Sequence, residues 1–281
     1  MKVLLTGANG QLGRCFQDRL PAEWEILATD SNELDITDLE RVAKVVKSFQ
    51  PDAIVNAAAY TAVDKAESEP EIAESINVHG PQNLAIVATK YNVRLVHVST
   101  DYVFDGSATE PYNEDSATNP LSVYGNTKLA GEQAVTKASP EAIIVRTAWV
   151  FSEYGNNFVK TMLRLAKERD TLSIVNDQRG CPTYAGDLAQ AIISLLEKNV
   201  EGGVYHYCGD EEVSWYEFAE QIFKVASKRN VISSAPTLTA ISTGGYPTPA
   251  KRPKYSALDC LKINKLNIPQ SNWLKKINDI I

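Results

Sequence analysis

The chain has 281 residues, 44% hydrophobic and 22% charged, which is room for one large α/β domain or two small ones. A net charge of −7 with no Lys/Arg block argues against a nucleic-acid partner, so an anionic ligand has to be held by local donors. Four scattered cysteines (Cys15, Cys181, Cys208, Cys260) and three distant histidines argue against a disulfide framework or a structural zinc site. With no membrane-length apolar run and an N-terminus that opens on a strand pattern rather than a signal peptide, a cytoplasmic protein with no membrane partner is expected.

Lys2-Val3-Leu4-Leu5-Thr6 predicts a buried strand. It runs into Gly7-Ala8-Asn9-Gly10-Gln11-Leu12-Gly13, and residues 14–20 continue as helix. Glycines at this spacing, between strand and helix, let the backbone turn tightly, approach a pyrophosphate and pack the helix on the strand. A second strand over 24–30 ends on Asp30, about 20 residues past the glycine loop, where a carboxylate meets ribose hydroxyls and repels a 2′-phosphate. Asp35 either caps the helix that runs from Asp38 to Gln50 or accepts from an adenine amino group.

Residues 53–58 predict a third strand, and small residues at Ala57, Ala58 and Ala59 leave room for a cofactor to approach its end. In the helix that follows, Asn77 is a poor interior residue and calls for a local hydrogen bond or a site role. The fourth strand, 94–100, delivers Ser99 and Thr100 to the carboxyl edge of the sheet, where open α/β sheets bind ligands. A polar loop over 107–120 suits a substrate-facing segment. Tyr124 and Lys128 then fall on one helix face, and a cation one turn away is expected to lower the phenol's pKa and ready it for proton transfer.

A fifth strand over 142–151 offers Arg146, Thr147 and Trp149 at the same edge, and Leu172-Ser173-Ile174-Val175 predicts a sixth. The alternation to this point predicts a doubly wound parallel sheet. Beyond Asp177 come a loop, a helix over 185–198, a short strand over 204–208, and a helix from Val213 with Ser214 as its cap. A Gly/Pro/Thr-rich loop over 243–253 carries Lys251 and Arg252, a candidate anion site, before a last helix over 273–278. Arginine's fork suits a pyrophosphate, which makes Arg252 the stronger candidate.

Gly7-x-x-Gly10-x-x-Gly13, Thr100 and Tyr124-x-x-x-Lys128 together resemble the extended short-chain dehydrogenase/reductase family. Residues 56–67, 99–104, 146–151 and 246–253 are similar to the branch of that family that acts on 4-keto dTDP-sugars, and the likeness runs from Lys2 to about Leu261. The resemblance implies a Rossmann domain over 1–150, its sheet completed by residues near 172–176 and 185–198. It also implies a smaller, discontinuous C-terminal α/β domain for the nucleotide sugar, mainly 151–281 and interleaved with the first.

It further implies reduction of the C4 ketone of dTDP-4-dehydro-L-rhamnose to dTDP-L-rhamnose by NADH or NADPH, with NADH favoured by Asp30. By the same resemblance Tyr124 is the proton donor, supported by Lys128. Thr100 holds the keto oxygen and Trp149 packs on the sugar; Asp101 is expected on the substrate as well, and so is Arg252, on the chemistry of its fork rather than on the resemblance. Gly7, Gly10, Gln11, Leu12, Gly13, Asp30, Asp35, Ile36, Ala59, Tyr60 and Thr61 would line the cofactor with Tyr124 and Lys128.

Some relatives hold Mg²⁺ at a dimer contact through an acid early in the first helix. Here Arg14 and Cys15 follow Gly13 and no acid comes before Asp18, so a monomer or weak homodimer is expected. A nucleotide-sugar dehydratase is a competing reading, but the base expected after Thr100-Asp101 is replaced by Tyr102. A non-catalytic relative, like the regulatory subunits of methionine adenosyltransferase, is the other alternative, and the intact Thr100, Tyr124 and Lys128 set argues for catalysis.

Overall fold

The apolar runs become strands in the computed structural model, which describes residues 1–281. The strands are β1 (Lys2–Thr6), β2 (Glu25–Thr29), β3 (Ala53–Asn56), β4 (Arg94–Thr100), β5 (Ile143–Thr147) and β6 (Val150–Phe151), then β7 (Thr171–Val175), β8 (Arg179–Gly180), β9 (Thr183–Tyr184), β10 (Gly203–His206), β11 (Val213–Ser214) and β12 (Thr237–Ile241). The helices are α1 (Gln11–Gln17), α2 (Leu39–Phe49), α3 (Val63–Ala66), α4 (Pro70–Glu74), α5 (Gly80–Tyr91) and α6 (Val123–Ala138), then α7 (Phe158–Glu168), α8 (Ala185–Glu197), α9 (Trp215–Lys228), α10 (Leu261–Asn264) and α11 (Trp273–Ile280).

Six strands form one parallel sheet in the order β10-β5-β4-β3-β1-β2, the doubly wound arrangement expected. Because successive side chains of a strand point to opposite faces, Val3 and Leu5 pack with Phe16, Leu188 and Ile192 on one side. Leu4 packs with Val42, Val46 and Leu84 on the other. Both faces are covered, which is why these strands read as unbroken apolar runs. Each fully buried aliphatic side chain contributes roughly 1.5–3 kcal/mol.

The chain leaves β1 towards β2 and returns to β3 on β1's other side, so the switch point of the sheet lies between β1 and β3. Gly7 follows β1 there at φ +72°, and a Cβ on it would stand 2.6 Å from the Ala58 backbone nitrogen. Gly13 packs α1 onto the turn, since a Cβ would stand 2.2 Å from the Gly7 carbonyl oxygen. The glycines are therefore required by close approach and, at Gly7, by backbone conformation.

The sixth strand of the sheet is β10 and not the segment 172–175. That segment is β7, which pairs in parallel with β12 in a separate two-stranded sheet. Leu172 and Ile174 are buried while Thr171 and Ser173 are exposed, so β7 is half-wet and unsuited to a sheet covered on both faces. The helix over 185–198 does join the main layer as α8, packed beside α1. The fifth strand also stops earlier than expected: β5 ends at Thr147, and Trp149, at φ +48°, turns the chain into β6, which pairs with β9.

A further core gathers α7, α9, α11 and β7 around Phe218, Ile222 and Trp273. Ser214 caps α9 in a reciprocal capping box with Glu217. The expected helix through Asn77 is three pieces, α4, a π turn over Ser75–His79, and α5.

Candidate active site

A cleft of about 1190 Å³ opens along the carboxyl edges of β1, β3, β4 and β5. Ligand pockets commonly measure roughly 300–1,000 Å³, so this one lies just above the range usual for a single ligand. Its floor is fixed by a buried polar ladder. The Thr6 hydroxyl donates to Asn56 Oδ1 at 2.7 Å, and the Ala58 N–H donates to the same oxygen at 3.1 Å. Asn56 Nδ2 lies 2.9 Å from His97 Nδ1, which accepts if the ring is neutral, and burial pushes His97 well below its ordinary value. The strand ends that carry the cleft are thus held in register.

Gly7, Gly10, Gln11 and Leu12 form one end of the cleft with Asp30, Asp35, Ile36, Ala59 and Thr61. Asp30 accepts from the Asn32 N–H at 2.8 Å and from the Asn9 side-chain amide. Asp35 does not cap the second helix. It accepts from Thr37 N–H and hydroxyl at 2.9 and 2.8 Å, while Asp38 caps α2 through Arg41 N–H at 3.0 Å. Gln11 Oε1 is gripped by the Ser152 hydroxyl at 3.0 Å and Asn157 Nδ2 at 2.9 Å.

Two residues expected on the cofactor lie off the cleft wall. Gly13 sits beneath the turn, and Tyr60 turns away to donate from its phenol to Glu69 at 2.7 Å. Asn77 explains Tyr60's placement. It accepts from the Tyr60 N–H at 2.9 Å and donates to the Tyr60 carbonyl at 3.1 Å and the Thr127 hydroxyl at 3.1 Å.

The other end of the cleft holds Thr100, Asp101, Tyr124, Lys128 and Trp149. Ser122 starts α6 by accepting from Gly125 N–H at 3.1 Å, and the helix then presents Tyr124 and Lys128 one turn apart. Lys128 is buried and donates from Nζ to the Val98 carbonyl at 2.7 Å. Burial pushes its ammonium down to about 8, with the Glu132 carboxylate opposing.

Burial also pushes the Tyr124 phenol up to about 12, a hydrogen bond with Thr100 pulling the other way. The expectation that Lys128 depresses the phenol is overturned, because taking the phenolate out of water outweighs any help from the cation. A phenol in that range keeps its proton at neutral pH, which is the state a proton donor needs. Beside it Asp101 accepts from the Thr100 hydroxyl at 3.0 Å through Oδ1, while its buried Oδ2 has no partner in hydrogen-bonding geometry, although the Ser256 hydroxyl lies near enough to favour the charged carboxylate. Burial lifts that carboxyl to about 6.

Trp149 stacks on Trp215, the first residue of α9, with ring centroids 3.5 Å apart and planes 5° from parallel. Trp215 is a cleft residue that the sequence did not single out; the capping serine before it marked only a helix start. Arg252 is not on the cleft wall. Its guanidinium is bound to Asp64 at 2.8 and 3.1 Å and to the Thr248 hydroxyl, so it ties the loop over 246–253 to α3 at the cleft's rim. The Asp18 carboxylate accepts from the Tyr154 phenol at 2.8 Å, and no group of three or more His, Cys, Asp and Glu is arranged to hold a metal.

The sequence pattern of the family described as RmlD substrate binding domain matches residues 1–281. The chain is similar to the dTDP-4-dehydrorhamnose reductase of Aggregatibacter actinomycetemcomitans, 48% identical over 99% of this chain and 98% of that protein. The enzyme of the same name from Escherichia coli strain K12 is 44% identical over 94% and 91%. Among solved structures, a dTDP-4-dehydrorhamnose reductase from Clostridium acetobutylicum superposes with a TM-score of 0.93 at 42% identity, covering 100% of this chain and 98% of that one. One from Bacillus anthracis, in complex with NADP, gives 0.93 at 40% identity, over 99% and 98%.

Proposed function

Since this chain belongs to the RmlD substrate binding domain family, we propose that its cleft is the site of a dTDP-4-dehydrorhamnose reductase reaction. The chain reduces the C4 ketone of dTDP-4-dehydro-L-rhamnose to dTDP-L-rhamnose with NAD(P)H, a step in polysaccharide biosynthesis. The observation that carries the site assignment is the convergence of Thr100, Tyr124 and Lys128 with the glycine loop on one cleft. A dinucleotide fits there: the loop backbone at Gly10 is unshielded, since a Cβ on it would meet only the Gly7 carbonyl oxygen, at 3.3 Å, and Ala57 to Ala59 add no bulk.

A bound nicotinamide supplies the hydride. Tyr124, kept neutral by burial, gives its proton to the C4 oxygen as negative charge develops there. The Thr100 hydroxyl, turning its one proton from Asp101 Oδ1 to the C4 oxygen, holds that oxygen beside the phenol, and the buried Lys128 ammonium stabilises the phenolate left behind. Asp101 Oδ2, buried without a partner, accepts from a sugar hydroxyl. The Trp149 and Trp215 stack gives the sugar an apolar wall.

Asp30 accepts from the adenosine ribose and favours NADH. The nucleotide end of the substrate rests on the second core, built by α7, α9, α11 and β7, while Arg252 holds the loop over 246–253 to Asp64 of α3 at the cleft's rim. No helix is long and apolar enough to cross a membrane, and the proposal is of a cytoplasmic monomer or weak homodimer. The test is to mix the protein with dTDP-4-dehydro-L-rhamnose and follow NADH absorbance. Stoichiometric loss is expected, and no loss with either nicotinamide would sink the proposal.

A further inference from the structure

Beyond Lys128 on the same stripe of α6 lies Glu132, one more turn along, 3% exposed and the acidic member of a buried cluster. Its Oε1 accepts from the Ser99 hydroxyl at 2.5 Å and from Arg146 Nε at 3.0 Å, and its Oε2 accepts from Arg146 Nη2 at 2.7 Å. Arg146, 5% exposed on β5, lies over the Phe104 ring at 5.2 Å and reaches His206 Nε2 on β10 at 3.4 Å. His206 accepts there and donates from Nδ1 to the Tyr112 carbonyl at 3.0 Å, so its ring is neutral. Three elements thus fix one carboxylate behind the catalytic lysine.

A buried ion pair is a poor source of stability, since desolvation consumes most of its Coulombic gain. Its position invites another account. Lys128 has one hydrogen bond, to the Val98 carbonyl, and Ser99, the next residue of that strand, donates to Glu132. The charged and titratable groups around the ammonium are Tyr124 and Glu132 on its own helix, His97 on β4, Asp101 just after β4, and Arg146 on β5 behind Glu132. His97 is held neutral, and Asp101 sits with Thr100 at the cleft end. Glu132 is the carboxylate that the helix carries next to Lys128 in the interior.

We propose that Glu132, clamped by Arg146 and Ser99, is a positioning residue for the reaction: it keeps Lys128 charged at the bottom of the cleft, and Arg146 sets how strongly it does so. This rests on the role given to Lys128 above. Residues one helical turn apart have Cβ atoms roughly 5–6 Å apart, and a nearby opposite charge favours the ionised form by roughly one to three pH units, so Glu132 is placed to help decide whether Lys128 carries its proton at neutral pH. Arg146 draws part of Glu132's field to itself, and the two residues act on the ammonium with opposite sign.

The test reads the lysine directly. Protein labelled with ¹³C at lysine Cε is titrated by NMR without cofactor or substrate, the Lys128 signal being identified by its absence in Lys128→Arg. In Glu132→Gln, which keeps an acceptor for Ser99, the midpoint falls by about one pH unit or more; in Arg146→Gln it rises. The alkaline limb of the single-turnover rate against pH moves in the same directions. A merely structural pair would lower the melting temperature and leave the Lys128 midpoint in place.

Either variant decides the matter if the other cannot be purified. A Lys128 midpoint that stays put, or moves the wrong way, in a folded variant overturns the proposal. The titration needs no turnover, so its failure is distinguishable from failure of the enzymatic reading, which an inactive wild-type protein would signal.

Discussion

At the scale of single residues, burial decides the chemistry more than spacing does. The four-residue interval between Tyr124 and Lys128 was legible in the sequence; the depth at which both sit was not. Tyr124 therefore stays protonated near neutrality, and Tyr124→Phe removes the donor while leaving the ring. Turnover should fall on the order of 10²–10⁴-fold with cofactor affinity unchanged. Measured where chemistry limits, a rate within twofold of wild type would remove Tyr124 from the mechanism.

Asp101 offers a pH test. Its carboxyl sits at about 6, raised by burial from the ordinary value of about 3.9, so it is neutral below that range and ionised above it. If its free oxygen accepts from a sugar hydroxyl, KM for the sugar nucleotide rises as pH falls through 6 and is flat above. Asp101→Asn should erase the inflection, and an inflection that survives in that variant assigns it elsewhere. Asp30, at the other end, should repel a 2′-phosphate. Asp30→Ala should shift the ratio of kcat/KM towards NADPH, and an unshifted ratio removes the ribose role.

At the scale of elements, α6 is seated by backbone contact. A Cβ on Gly131 would stand 2.1 Å from the Asn77 carbonyl oxygen, in the π turn whose Asn77 side chain also binds Thr127. Gly131→Ala should push the helix off that turn, lowering both melting temperature and kcat. A variant with wild-type kcat would show that the seat does not govern Tyr124 and Lys128. Asn77 was visible in the sequence as a polar residue inside a helical pattern. Its partner, the backbone of Tyr60, was not, because the clasp joins segments 17 residues apart through a π turn that periodicity does not encode.

Strands show the same limit. β1, β3, β4 and β5 were readable because burial on both faces leaves continuous apolar runs. β7 reads equally well as a strand, yet its alternating exposure, which would have kept it out of the main sheet, lies in only two polar positions, Thr171 and Ser173. β12, Thr-Leu-Thr-Ala-Ile, is mostly exposed and carries too little apolar pattern to stand out. Arg252 was recognisable as a loop cation but not as the partner of Asp64, a contact across 188 residues.

At the scale of the whole molecule, one sheet edge gathers residues from the glycine loop, the end of β4 and α6, and a second core supplies Trp215. The central claim is that this edge transfers hydride to the C4 carbon of a dTDP-sugar. The direct measurement is to run the reaction with nicotinamide carrying deuterium at the transferable position and examine the product by NMR. The account predicts dTDP-L-rhamnose with one deuterium at C4 of the sugar. Deuterium at another carbon, or product without the label, would contradict it.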